Sequence, residues 1–158
     1  MCSLSNEITH PTVDVDTVRS KIKDDSLRLI DVRREEDYNK GHIPNAVNLP
    51  LASLLSDDSP ESVVKLAEDM GISDDTQVVV YDDTFGALAS RVAWTLQYIG
   101  HSNVALLEVT YSQWKELGLK TSNEKPNIKP AKHSLNLKPN IMATAEYLEK
   151  AKEKENVV

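Results

Sequence analysis

Short apolar, β-branched runs alternate with runs of helical spacing along the first 120 residues. The apolar runs are predicted to be buried strands at residues 27–32, 46–49, 77–81 and 104–108. Strands that alternate with helices are typical of a parallel sheet, because each crossover helix returns the chain to the same edge of the sheet. The pattern therefore predicts an α/β fold.

Helices are predicted between and after these strands, at residues 17–23, 60–70, 86–99 and 111–117. Asp16 is predicted to cap the first of them, and Ser59 the second, where Pro60 occupies the first helical position. Gly71 is predicted to end the second helix. Local capping signals thus agree with the hydrophobic pattern.

Composition narrows the function classes. The chain has 158 residues, the length of one domain with some to spare, and a net charge of −7. That charge argues against nucleic-acid binding, which requires clustered Lys and Arg. No apolar run approaches the roughly 18 to 20 residues that span a bilayer, and the N-terminus shows no basic-then-apolar signal region. We therefore expect a cytoplasmic protein that binds neither nucleic acid nor membranes.

Metal and nucleotide sites are not expected either. Cys2 is the only cysteine, and the histidines His10, His42, His101 and His133 are too scattered for a zinc site. The five glycines lie too far apart for a GxGxxG motif or a P-loop. The sequence thus predicts no metal site and no cofactor.

The charge balance changes near residue 120. Residues 1–120 carry 11 basic and 20 acidic groups, whereas residues 121–158 carry 7 basic and 5 acidic groups. Residues 121–139 contain three prolines and no helical period, which predicts an extended linker. The chain is therefore divided into a domain (1–120), a linker (121–139) and a further segment (140–158).

The last segment is similar to the beginning of the chain. Residues 16–23 and 144–151 each begin at a capping residue and continue as a short amphipathic pattern. The strand residues Leu29 and Ile30 then match Val157 and Val158 at an offset of 128. Any helix followed by a strand gives such a match, so the repeat decides nothing by itself.

A compact turn motif follows the first predicted strand. Gly41 is predicted to have a positive φ at a helix exit, and Pro44 to fix a turn before the second strand. His42, between them, is expected to serve as a hydrogen-bonding support, with a proton shuttle as the alternative.

Arg33 lies at the carboxyl end of the first predicted strand, the edge of a parallel sheet where ligands bind. We expect it to form an ion pair with Asp37 or Glu36, and the alternative is a substrate clamp.

The segment LRLIDVRREEDYNKGHIPNAVNLP resembles the first half of a rhodanese-homology domain, in which a strand and Asp-x-Arg precede Gly-His-Ile-Pro-Gly-Ala-x-Asn. The resemblance continues with VVVY at residues 78–81, GHSNV at residues 100–104 and Trp114, and so covers about residues 12–120. It implies a three-layer αβα fold with a central, mostly parallel sheet of about five strands.

In that family the loop after the VVVY strand carries a cysteine that holds sulfane sulfur as a persulfide. Here Asp82 stands in its place, and the arginine expected five residues later is Ala87. A carboxylate cannot hold that sulfur, and it repels an anionic donor such as thiosulfate. The resemblance therefore implies no catalytic residue in this chain.

An aspartate at this place resembles the first, inactive domain of tandem thiosulfate or 3-mercaptopyruvate sulfurtransferases. The resemblance implies that residues 140–158 begin a truncated second domain, whose cysteine is expected near position 210, about 128 residues after Asp82. The partners it implies are this second domain and a small anionic sulfur donor. The full-length parent is then the enzyme.

Four charged residues are candidates for the rim of the cleft between two such domains: Arg33, Asp82, Asp83 and Arg91. The competing interpretation is that Asp82 or Asp83 caps the long helix, because a carboxylate accepts backbone N–H groups and favours the positive end of the helix dipole. A second hypothesis for the whole chain is a stand-alone, catalytically inactive rhodanese module that binds or regulates a partner.

Overall fold

The computed structural model describes residues 11–24 and 26–137. Cys2, residues 138–158 and the helix and strand predicted for the last segment lie outside the described residues. In chain order the elements are β1 (Thr12–Val13), α1 (Val15–Lys21), β2 (Leu27–Asp31), α2 (Glu35–Lys40), β3 (Val47–Asn48), α3 (Leu51–Ser56), α4 (Pro60–Asp69), β4 (Gln77–Tyr81), α5 (Ala87–Tyr98), β5 (Val104–Leu107) and α6 (Tyr111–Glu116).

The strands form one five-stranded sheet in the order β1-β5-β4-β2-β3, and every neighbouring pair is parallel. All four predicted strands are present, with ends that differ by at most one residue. The sequence pattern missed β1, because its two residues make no apolar run and depend on pairing with β5 at the sheet edge. The predicted parallel α/β fold is confirmed.

Side chains of β4 alternate between two cores, one on each face of the sheet. Val78 and Val80 pack with residues of α3, α4 and α5, whereas Val79 and Tyr81 pack with residues of α1, α2 and α6. Two-residue alternation along a strand that is buried on both sides produces this arrangement. The helices thus form two layers around the sheet, which confirms the three-layer expectation.

Of the two predicted helix caps, Asp16 is wrong, whereas Ser59 is correct in position only. Asp14, not Asp16, caps α1, because its carboxylate accepts the backbone N–H of Thr17 at 2.7 Å. Ser59 precedes α4 as predicted, but its side chain makes no capping bond to the backbone, and its hydroxyl contacts Ser62 instead.

Residues 121–137 are called the strap below. They run along the domain without forming a helix, and Ser122 forms an isolated antiparallel β-bridge with His42. Ile128 packs against the core on the face of the sheet that α3, α4 and α5 cover. The Ala131 N–H donates to the Glu68 carbonyl and the Asn136 N–H to the Ile99 carbonyl, both at 2.9 Å. The strap is therefore docked on the domain along its length.

Candidate functional site

The Asp82 carboxylate lies directly after β4, at the carboxyl edge of the sheet, and fills the loop that leads into α5. One carboxylate oxygen accepts the backbone N–H groups of Thr84 and Gly86, each at 3.0 Å. The other accepts those of Leu88 at 3.0 Å and Ala89 at 2.9 Å, together with the Thr84 hydroxyl at 2.8 Å. Four backbone donors thus converge on one side chain that is only 3% exposed.

These donors set the ionisation of Asp82. Burial by itself would raise the pKa of the carboxyl, but the N–H groups of Ala89, Gly86 and Thr84 outweigh it and hold the pKa below its ordinary value of 3.8. Leu88 and Ala89 are the second and third residues of α5, so the Asp82 carboxylate also caps the N-terminus of this helix. The capping interpretation is confirmed for Asp82.

Backbone N–H groups that converge at the start of a helix form an anion site. Here the bound anion is the protein's own carboxylate, and residues 82–87 include no cysteine. The loop offers its donors to Asp82, and none of its side chains has the chemistry to carry sulfur.

A cavity of about 660 Å³ opens beside this loop, between α2 and α6. Charged side chains dominate its lining: four cations and two carboxylates, namely Arg33, Arg34, Lys40, Lys115, Asp37 and Asp83. The excess of cations makes the cavity more attractive to an anion than to a cation.

Arg33 is held by a buried network at the cavity floor. Its guanidinium donates to both carboxylate oxygens of Asp31, at 2.8 to 3.1 Å, and to the Gly41 carbonyl at 2.7 Å. The Tyr81 hydroxyl donates to the same Asp31 carboxylate at 2.6 Å, and the Tyr111 ring lies 4.0 Å below the guanidinium. Arg33 is thus an ion-paired residue that forms part of the cavity wall.

The predicted partner of Arg33 is wrong. Asp37 pairs with Arg34 at 3.5 Å, and Arg33 pairs with Asp31, two residues earlier in the chain. The strand end turns the Arg33 side chain back over Asp31, whose side chain is fully buried. Burial lowers the pKa of Arg33, but the Asp31 carboxylate outweighs burial and raises it, so the pair stays charged.

The other two rim candidates, Asp83 and Arg91, have partners that differ from those of Asp82. Asp83 accepts the Ser112 N–H at 2.9 Å and its hydroxyl at 2.8 Å, which connects the loop to α6 at the cavity edge. Arg91 lines neither this cavity nor the smaller one of about 140 Å³ on the other side of Asp82. Its guanidinium pairs with Asp58 at 3.3 Å and lies 4.9 Å from the Trp94 ring. The structure therefore brings Arg33 and Asp83 to one cavity and leaves Arg91 outside it.

The turn motif is only partly as predicted. Pro44 and Asn45 form the expected turn, with Asn45 at φ 68 and the Ala46 N–H donating to the Ile43 carbonyl. Gly41 does not have the expected left-handed backbone, because its φ is 161. Glycine is favoured there for space: an added Cβ would lie 2.8 Å from the Tyr111 hydroxyl.

Four site residues escaped the sequence reasoning: Asp31, Arg34, Lys40 and Lys115. Asp31 was visible in the Asp-x-Arg motif, and its spacing to Arg33 was the available signal. The two lysines lie on α2 and α6, more than seventy residues apart in sequence, so that only packing of these helices on one face brings them to the same cavity.

Neither a metal site nor a membrane span emerges from the described residues. Within residues 11–24 and 26–137 no three His, Cys, Asp or Glu side chains converge as metal ligands would. No helix in the same part of the chain has the length and apolar character needed to cross a bilayer.

Known proteins are similar to this chain in sequence and fold. The sulfur carrier protein TtuD of Thermus thermophilus is 33% identical over 137 residues, which are 80% of this chain and 47% of that protein. Mouse 3-mercaptopyruvate sulfurtransferase is 32% identical over 126 residues, 73% of this chain and 42% of that protein. The chain thus spans about half the length of the curated relatives it matches.

Among solved structures, the 3-mercaptopyruvate sulfotransferase SseA of Escherichia coli has a TM-score of 0.71 at 23% identity, covering 83% of this chain and 57% of that chain. That likeness shows the fold. Residues 14–117 match the family model described as the rhodanese-like domain. Because this family model matches more than half of the chain, and TtuD is 33% identical over 80% of the chain, the chain belongs to the rhodanese-like domain family.

Proposed function

We propose that this chain is the non-catalytic domain of a cytoplasmic, tandem-domain sulfurtransferase. In the parent protein, a cysteine of a second rhodanese-like domain takes sulfane sulfur from thiosulfate or 3-mercaptopyruvate and passes the persulfide sulfur to cyanide or a thiol. The observation that carries the proposal is the Asp82 carboxylate, which occupies the loop's anion site with five hydrogen bonds.

Relatives about twice as long as this chain support the two-domain part of the proposal. An inactive domain contributes to such an enzyme by covering the active loop of its neighbour and excluding water from it. The cations of the cavity give it a second contribution, since Lys40 and Lys115 raise the local concentration of an anionic donor.

The first test is a thiocyanate-forming assay on this chain alone, with thiosulfate and cyanide. We expect no turnover above background, since the chain carries no cysteine at the loop. Turnover by this chain would refute the assignment of the loop as inactive.

The second test uses the parent protein, with its cysteine expected near position 210, about 128 residues after Asp82. Lys40→Gln combined with Lys115→Gln is expected to raise the KM for thiosulfate with little change in kcat, because the lysines attract the donor and do not touch the reacting sulfur. Lys65→Gln is the matched control, since Lys65 lies on α4 at the opposite face. Equal KM values for the double variant and the control would contradict the proposed role of the cavity.

A parent sequence without a cysteine near position 210 would contradict the two-domain assignment itself.

Phe85 favours the second candidate function, a stand-alone module that binds a partner. This ring is 83% exposed, and its residue has a left-handed backbone with φ 57, a conformation that costs a bulky residue about 1 to 2 kcal/mol. Phe85→Ala discriminates between the candidates by urea unfolding. If Phe85 contacts a second domain of a longer parent, the substitution destabilises that parent more than the isolated chain. Equal losses in the two proteins would show that Phe85 contacts no second domain, which leaves its ring available to an external partner.

A further inference from the structure

Three buried histidines attach the strap to the domain, one near its beginning and two near its end. At the first end His42, fully buried, exchanges backbone hydrogen bonds with Ser122, each at 2.7 Å. Its ring stacks on Tyr38 at 3.8 Å. The ring Nδ1 lies 2.9 Å from the Tyr38 carbonyl, and Nε2 lies 2.7 Å from the Glu124 carbonyl of the strap.

At the other end His101 of the domain meets His133 of the strap, and both are more than nine-tenths buried. Nδ1 of His101 lies 2.9 Å from Nε2 of His133. The outer nitrogens face carbonyls: Nε2 of His101 lies 2.8 Å from the Thr76 oxygen, and Nδ1 of His133 lies 2.6 Å from the Ser134 oxygen.

Hydrogen bonding at every one of these contacts requires a definite number of ring hydrogens. A carbonyl oxygen only accepts, so each ring nitrogen that bonds to one carries a hydrogen. If both nitrogens of His42 donate to these carbonyls, the ring is an imidazolium. In the pair of His101 and His133, both outer nitrogens carry hydrogens, and the inner bond needs one more on either inner nitrogen. The pair therefore holds three hydrogens, one more than two neutral rings.

The charged surroundings of the pair accommodate one extra proton and not two. The Asp74 carboxylate lies 3.6 Å from Nδ1 of His133, and Glu68 accepts the His133 backbone N–H at 3.0 Å. Burial, and next the charge of His133, lower the pKa of His101, so that His101 resists a proton of its own. A second extra proton would also place two N–H groups against each other.

The surroundings of His42 are less acidic. Tyr38, stacked on the ring, stays neutral because burial and the Asp31 carboxylate raise its pKa to about 12. Arg33 donates to the carbonyl of the adjacent Gly41 and opposes the imidazolium charge. The two carbonyl oxygens are thus the groups available to stabilise a charged ring.

We propose that His42, His101 and His133 form a proton-binding latch that holds the strap on the domain: one proton resides on His42 and one is shared by His101 and His133. Loss of the first leaves a ring nitrogen lone pair against a carbonyl oxygen. Loss of the second leaves two ring lone pairs facing each other at 2.9 Å. Each loss weakens one end of the strap. The latch does not depend on the proposed sulfurtransferase function.

The sign of the pH dependence follows from counting protons. The docked strap binds two extra protons, whereas three released histidines with an ordinary pKa of about 6.5 bind three at low pH and none at high pH. Docking is therefore most favourable near pH 6, where the released histidines together bind about two. Above that pH the docked state binds more protons than the released state, so docking weakens as the pH rises.

The main test is amide hydrogen exchange of the full chain between about pH 6 and pH 8.5, corrected for the intrinsic rate. The Ser122 N–H reports the first end, and the Ala131 and Asn136 N–H groups report the second. We expect the opening constant at each end to rise by up to tenfold per pH unit above about pH 7.5, since one proton is released there. Opening constants that do not change with pH would overturn the proposal.

Ring protonation can be measured directly by nitrogen NMR of the three histidines near pH 6. His42 is expected to show two protonated nitrogens, and His101 a protonated Nε2 with an acceptor Nδ1. A neutral His42 and a neutral His133 at that pH would overturn the proposal whatever the exchange data show.

Two glutamine variants serve as controls for each other. His133→Gln retains a donor for His101 but cannot titrate, so the pH dependence is expected to vanish at Ala131 and Asn136 and to persist at Ser122. His42→Gln is expected to give the reverse. If the opening constants at the substituted end still depend on pH in both variants, the latch is contradicted. The NMR measurement decides the question if either variant fails to fold.

Discussion

Replacing Asp82 by asparagine tests the central feature of the site at almost constant volume. The amide keeps one acceptor oxygen and replaces the other by an NH₂ group, so whichever way it turns, two backbone N–H groups lose their acceptor. A buried donor left without a partner costs about 1 to 3 kcal/mol. For two donors, partly relieved by movement of the loop, we expect Asp82→Asn to lower the free energy of unfolding by about 3 kcal/mol.

Urea unfolding followed by tryptophan fluorescence measures this loss. Asp83→Asn is the matched control, because Asp83 is the adjacent residue, is exposed, and bonds only to Ser112. Its expected cost is about 1 kcal/mol. An Asp82→Asn variant within about 0.5 kcal/mol of the wild type, or equal losses for both variants, would refute the reasoning.

The same pair of proteins gives a pH signature. The pKa of Asp82 is below its ordinary value of 3.8, so its carboxylate stabilises the fold fully above that value and progressively less as the pH falls through the lower, folded value. The difference between wild type and Asp82→Asn is therefore expected to stay constant from pH 7 to about pH 5 and to shrink below about pH 4. A difference that grows on acidification would contradict the assignment.

Three further substitutions test the loop and the cavity floor. Asp82→Cys, with the native cysteine replaced by serine, is expected to have a thiol pKa below about 8.5, because the loop N–H groups stabilise a thiolate. The pH dependence of alkylation measures this pKa, and an unshifted value would show that the donors no longer converge on the side chain. Asp31→Asn is expected to cost about 3 to 5 kcal/mol in urea unfolding, because it leaves the Arg33 charge without its partner, and a loss below about 1 kcal/mol would indicate that the pair is dispensable. Gly41→Ala is expected to cost about 1 to 3 kcal/mol, because the new Cβ would lie 2.8 Å from the Tyr111 hydroxyl, and Tyr111→Phe in the same background is expected to recover part of that loss.

Most of the fold could be predicted because its signals are local. The three longer strands are apolar and β-branched, and both faces of the sheet are buried, so the hydrophobic runs coincide with these strands. The errors fall where local signals are ambiguous. Asp14 and Asp16 are both competent capping residues, and the backbone at Asp14 decided between them.

The site was predictable in identity but not in geometry. Replacement of the family's cysteine by Asp82 is visible in the sequence, and so is the absence of any cysteine from residues 82–87. The partner of Arg33 was not, because acidic residues stand on both sides of it in sequence, and only the turn after β2 selects Asp31.

The sequence by itself determined the α/β fold, the family resemblance and the chemistry that the loop lacks, because each depends on residue type and short-range spacing. Only the tertiary structure decided that four backbone donors converge on Asp82, that Arg91 lies away from the cavity, and that residues 121–137 dock on the domain through buried histidines. These features depend on distances between groups that are far apart in sequence, and such distances are fixed only when the helices and the strap pack against the sheet.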